Sequence, residues 1–219
     1  MPHIARHTAT VRATHWLTTA AFAALLISGL EIVVSHPRFY WGETGNVNET
    51  PLFSIPIPSS RGTVPTGYDY VMPDQNGWSR YLHFQSAWLL VFTGLVYVAA
   101  GLATRHFRRN LMPESFDRSD GDELRYNGVQ RLSYLIVIFV LFPLIIWTGL
   151  DMSDAFAAAF PSAVTALGGR QSARTLHFAV TILLLLFFVV HVVMVIRAGF
   201  VNRVRAMITG RAGPRLEAS

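Results

Sequence analysis

The sequence predicts an all-α membrane protein, a four-transmembrane-helix bundle with both termini cytoplasmic. Three observations carry that expectation: a lean charge content, four apolar stretches of spanning length, and the placement of arginine. Of 219 residues, 52% are hydrophobic and 14% charged, against about a quarter charged in ordinary soluble chains. Lipid is the solvent such a composition suits.

The apolar stretches lie at 14–35, 80–103, 129–150 and 174–197, and each supplies the roughly 20 helical residues that cross a hydrocarbon core. The first is longer than the apolar region of a cleaved signal peptide, carries His15 at its start and has no clear small-residue cleavage site after it, so it is expected to remain as helix one. All 18 basic residues are arginine. With the N-terminus inside, thirteen fall in inside segments and only Arg38, Arg61, Arg80, Arg170 and Arg174 outside, which favours both ends inside. The formal charge of +5 thus reads as a topology signal rather than a nucleic-acid surface, because the arginines flank apolar runs.

This divides the chain into a helical domain over 1–200, with a periplasmic segment at 36–79, and a cytoplasmic tail over 201–219. The periplasmic segment is rich in proline, glycine, asparagine and aromatics, as in His36-Pro37-Arg38-Phe39-Tyr40-Trp41-Gly42, and has no long helical period. Its run from Phe53 to Pro58 is apolar, so it is expected to cap the outer face and pack on helices, headgroups or another subunit. The loop 105–128 is charged and expected to be solvated.

There is no cysteine, which excludes thiolate metal sites, iron–sulfur clusters and covalently attached c-type haem. Metal chemistry must rest on histidine or carboxylate. Histidine inside a spanning helix is costly and marks a functional hypothesis. Four qualify: His15, His83, His177 and His191. His177 and His191 are 14 residues apart on one helix, a rise of about 21 Å, and 14 steps of about 100° return to within about 40° of the same face. One helix thus presents two ligands inward at opposite membrane faces. With the topology above, His177 shares its depth with His83, and His191 shares its depth with His15. Two imidazoles from facing helices are what a low-spin electron-transfer haem in a bundle needs. The four histidines would serve as iron ligands to two haem b groups. Zinc at either pair would need further ligands, and Glu31 and Asp151 are poorly placed for the inner pair.

Helices two and four open alike, with Arg80-Tyr81-Leu82-His83-Phe84 and Arg174-Thr175-Leu176-His177-Phe178, and helix one repeats the kernel in Arg12-Ala13-Thr14-His15. Arg12, Arg80 and Arg174 each lie three residues from a histidine, on its side of the helix. Guanidinium groups there can hold haem propionates; snorkelling to the interface accounts for each one singly. Gly29, Gly94 and Gly149 admit either a macrocycle or a neighbouring helix.

On the Arg12-to-Trp16 start, His83 and the paired histidines of helix four, the chain over about 6–200 resembles the four-helix di-haem b-type cytochrome family. That family includes bacterial cytochrome b561 and the membrane subunits of formate dehydrogenase, nickel–iron hydrogenase and thiosulfate reductase. The His36-to-Gly42 segment looks most like the thiosulfate-reductase type. The resemblance implies a multi-pass inner-membrane electron conduit between the quinone pool and a periplasmic redox partner, of the molybdenum-enzyme kind. The Tyr126-to-Arg131 segment is similar to one near the inner-face quinone in formate dehydrogenase subunits, which makes Asn127 a quinone-site candidate, with Gln130 and Arg131 as weaker neighbours. Asparagine also favours helix starts without any such role. Two other expectations stand beside the conduit: a stand-alone quinone oxidoreductase for a small species such as superoxide, and a non-redox anchor or small transporter.

Overall fold

In the computed structural model, residues 8–46, 48–56, 76–105 and 132–210 are described. The first helix, α1, runs Ala9–Ser35. Thr8 caps it, its hydroxyl accepting from the Val11 amide at 3.3 Å, which satisfies one of the donors a helix start leaves open. It ends before Pro37, since the residue preceding proline is driven out of the helical region. The second, α2, spans Asn76–Ala103. The third, α3, is the span Leu132–Asp151, and it contains a π-helical turn at Val137–Leu141. Pro143 follows that turn. Its missing N–H removes one hydrogen bond of the regular ladder, and a widened turn absorbs the defect.

Two short helices, α4 (Asp154–Ala159) and α5 (Pro161–Ala166), lead into α6, Arg170–Arg197. Gly168 and Gly169, at φ +82° and +107°, make the turn into α6. After Gly199 at φ +91° the chain forms α7, Phe200–Thr209, closed by Gly210 at φ +77°.

The spanning helices α1, α2, α3 and α6 are each long and apolar enough to cross a membrane. Helix α1 packs along α2, and α3 along α6. The exposed faces are apolar, as at Leu30, Phe92 and Leu186, whereas several fully buried side chains are small and polar: Ser28, Ser79, Thr148 and Ser172 are each 0% exposed. That inversion of the soluble pattern is what lipid as solvent requires. Small hydroxyl residues let helices approach, and their protons bond back to the helix backbone. A compact apolar core of Val137, Val180 and Leu184, with Phe22 and Phe187 against it, fills the centre.

The bundle has a cap end, where α1 and α3 finish, and a tail end, where they start. At the cap end, Arg38–Phe39 (β1) pairs antiparallel with Phe53–Ser54 (β2). Phe39, 2% exposed, stacks on Phe53 at 4.7 Å and meets Phe178 of α6 at 4.6 Å. The Gly42 carbonyl accepts from the Gln171 and Ser172 amides, the Gly42 amide donates to Ser172 Oγ at 2.7 Å, and Thr175 Oγ1 donates to the Tyr40 carbonyl at 2.7 Å. The segment after α1 is therefore bound to the first turns of α6, and Phe53 packs as its apolar run suggests. Residues 57–75 lie outside the described residues, as does the loop over 106–131.

The spanning helices extend beyond their apolar stretches: α1 begins at Ala9 rather than 14, α2 at Asn76 rather than 80, and α6 at Arg170 rather than 174. The expected tail holds α7, an amphipathic helix that meets α1. Arg12 Nη1 donates to the Ile208 carbonyl at 2.7 Å and Trp16 Nε1 to the Met207 carbonyl at 3.1 Å. Both are last-turn carbonyls, left open by the helix and carrying the negative end of its dipole.

Candidate functional site

The four histidines come together as two opposed pairs. At the cap end the rings of His83 on α2 and His177 on α6 have centroids 6.2 Å apart, inclined by 57°. At the tail end those of His15 on α1 and His191 on α6 are 6.4 Å apart, inclined by 52°. Both separations match the length that a shared metal would impose. Two imidazoles bound on opposite sides of one metal ion, at a metal–nitrogen distance of about 2 Å, put their ring centres about 6 Å apart. Among the described residues no group of three or more His, Asp or Glu side chains gathers. Each site offers two protein ligands in opposition, which suits an iron whose other four ligands come from a macrocycle.

Helices α1 and α3, which face the rings of His83 and His177, admit them closely. A Cβ added at Gly29 would lie 3.5 Å from His83 Cε1, and one at Gly149 would lie 3.3 Å from His177 Cε1. The glycines expected to admit a macrocycle or a helix thus admit the ligand rings themselves, while a Cβ at Gly94 meets nothing within 4 Å among the described residues. Gly149→Ala is expected to press on His177 and reduce occupancy of the cap-end site, whereas Gly29→Ala, at ordinary contact distance, is expected to leave it nearly full. Haem content of the two purified variants checks the difference.

The residue before each glycine is one that sequence reasoning missed. Ser28 Oγ lies 3.0 Å from His83 Nδ1, and Thr148 Oγ1 lies 3.0 Å from His177 Nδ1. A signal for them was present: Ser28-Gly29-Leu30-Glu31 on α1 recurs as Thr148-Gly149-Leu150-Asp151 on α3. Together with the Arg-x-Leu-His-Phe repeat of α2 and α6, it relates α1–α2 to α3–α6 around the cap-end pair. At the tail end, Tyr134 OH lies 3.5 Å from His191 Nδ1, and Phe187 stacks on His191 at 5.9 Å.

The arginines divide. Arg174 donates through Nη2 to the His36 carbonyl and lies over the Phe39 ring at 5.1 Å. Arg80 is exposed at the same end. Desolvation first, and then the positive charges of Arg174 and Arg80, push the His36 imidazole below its usual pKa, against the raising influence of its bond to Ile32. Arg80, Arg174 and His36 thus gather at the cap end, where an acidic group would be well received. Arg12 is engaged with α7, and its Nε is buried with no hydrogen-bond partner among the described residues, an orphaned donor that an anion at the tail end would satisfy. Asn127, Gln130 and Arg131 lie outside the described residues.

Residues 6–210 match the family model described as prokaryotic cytochrome b561. The chain belongs to that family. It is therefore a multi-pass protein of the bacterial inner membrane and a haem b electron-transfer cytochrome. The cytochrome is also 28% identical, over 210 residues, to the putative protein-methionine-sulfoxide reductase subunit YedZ1 of Azospira oryzae, an alignment that covers 86% of this chain and 89% of that protein. No solved structure matches. The opposed imidazole pairs, the close-fitting glycines and the orphaned Arg12 donor all suit haem b.

Proposed function

We propose that this cytochrome holds two bis-histidine haems b, one between His83 and His177 and one between His15 and His191, and passes electrons between the quinone pool and a redox partner across the membrane. The observation that carries this reading is the pair of imidazole separations, 6.2 and 6.4 Å, one at each end of α6. Each haem, when bound, supplies a reversible one-electron couple. The four imidazoles of His15, His83, His177 and His191 would hold the two haems, and the apolar core between the sites would keep water out. Arg80 and Arg174 would hold propionates at the cap end, and Arg12 at the tail end.

The arginine distribution supports a topology with the cap end at the periplasm and both termini in the cytoplasm. The partner would then dock on the 36–56 segment, which leaves Trp41 58% and Leu52 60% exposed. A relative named as a putative subunit of a protein-methionine-sulfoxide reductase supports an oxidoreductase as that partner, and the family resemblance implies one of the periplasmic molybdenum type. The quinone would bind near the tail end, with Asn127 as a hydrogen-bond donor to its headgroup.

In proteoliposomes, a quinol added to the bilayer is expected to reduce both haems anaerobically. Asn127→Ala should slow that reduction about tenfold, the effect of losing one good hydrogen bond of about 1.4 kcal/mol, with haem content unchanged. Rapid dithionite reduction without any reduction by quinol would count against a quinone-linked conduit.

A further inference from the structure

Each ring of the cap-end pair has a hydroxyl within hydrogen-bond distance of its Nδ1. Ser28 Oγ, besides its contact with His83 Nδ1, lies 2.7 Å from the Ala24 carbonyl and 3.2 Å from that of Leu25. Thr148 Oγ1, besides its contact with His177 Nδ1, lies 2.8 Å from the Leu144 carbonyl and 3.1 Å from that of Ile145. Each hydroxyl has a single proton, and carbonyls can only accept. With that proton given back to its own helix, each hydroxyl has a lone pair for the ring, and the ring is the donor. Both rings then carry their proton on Nδ1 and keep the Nε2 lone pair for a metal. The contact from Tyr134 to His191 is longer, at 3.5 Å.

We propose that Ser28 and Thr148 are positioning residues that fix the Nδ1–H tautomer and ring orientation of His83 and His177, and that by accepting from Nδ1–H they lower the potential of the haem at the cap end. The proposal rests on the bis-histidine reading above. A hydrogen bond from the far nitrogen of a ligating imidazole makes the ring a stronger electron donor, which stabilises the oxidised iron more than the reduced. The serine and threonine occupy equivalent places in the Ser28-to-Glu31 and Thr148-to-Asp151 repeat, so the device is built twice, once for each axial ligand.

The test uses the full chain with Ser28→Ala, Thr148→Val and their double variant, alongside the hydroxyl-keeping swaps Ser28→Thr and Thr148→Ser. Haem per chain is measured first, followed by a potentiometric titration of both haems, with His83→Ala marking which signal belongs to the tail end. The expected result is two haems in each variant, an upward shift of the cap-end midpoint in each single variant, a larger shift in the double, no shift at the tail end, and values near the parent in the swaps. Loss of the cap-end haem from the alanine and valine variants alone, with retention in the swaps, also upholds the requirement for a hydroxyl. An unmoved cap-end potential with both haems bound overturns the proposal, as does loss of the haem from the swaps as well, which would make packing the requirement. A parent chain that binds no haem overturns the bis-histidine reading and this proposal together, whereas an unmoved potential in a two-haem variant overturns this proposal alone.

Discussion

Replacing His177 with alanine is expected to halve the haem content of the purified protein and to abolish electron transfer between quinol and an acceptor on the far side. The ring of His177 faces that of His83 at 6.2 Å, and with one imidazole gone the site keeps a single protein ligand. The tail-end haem, held by His15 and His191, should remain with an unaltered spectrum, because 14 residues of α6 put it about 21 Å away along the helix. His83→Ala should give the same single-haem product, and His15→Ala and His191→Ala the complementary one. The pairing itself is at stake in these four variants. If His83→Ala and His177→Ala removed different haems, the ligands would be shared in some other way.

The second large effect is expected at Gly169. It turns the chain into α6 at φ +107°, and a Cβ there would come within 2.6 Å of the Gly42 carbonyl carbon and oxygen. That carbonyl accepts from the Gln171 and Ser172 amides, so the clash falls on the joint between the cap segment and α6. Gly169→Ala should cost about 1–3 kcal/mol for a backbone conformation that essentially only glycine adopts, and about 1–3 kcal/mol more for overpacking against backbone that cannot rotate away. A melting temperature lowered by several degrees is expected, together with weaker coupling to the partner, while the four histidines stay in place and haem content is retained. Gly42→Ala provides the contrast: its φ is also positive, at +113°, but its Cβ meets nothing within 4 Å, so only the backbone cost applies.

The membrane helices and their histidines were legible because their signals are local. An apolar run reports its own solvent, and a 14-residue spacing on a straight helix decides which side chains share a face. Helix ends were less legible. The apolar run marks where hydrocarbon begins, whereas Ala9–Arg12 of α1 and Arg170–Ala173 of α6 continue the helix beyond that run. Helix α7 was hidden by its arginines, because Arg203 and Arg205 look like a solvated tail until Ile208 and Met207 are seen to receive Arg12 and Trp16. Ser28 and Thr148 were missed for a related reason. A serine or threonine within an apolar helix ordinarily bonds to its own backbone, and that local view is correct for both. Their second contact, to a ring on the neighbouring helix, depends on how two helices meet, and only the repeated Ser/Thr-Gly-Leu-Glu/Asp pattern hints at it.

The most direct test of the account is a pyridine haemochrome assay on the 24.4 kDa chain, purified after haem-replete expression and paired with a reduced-minus-oxidised spectrum. Two b-type haems per chain, both low-spin, are expected. One haem per chain would contradict the assignment of His15, His83, His177 and His191 as two ligand pairs, and a colourless protein would contradict the electron conduit altogether.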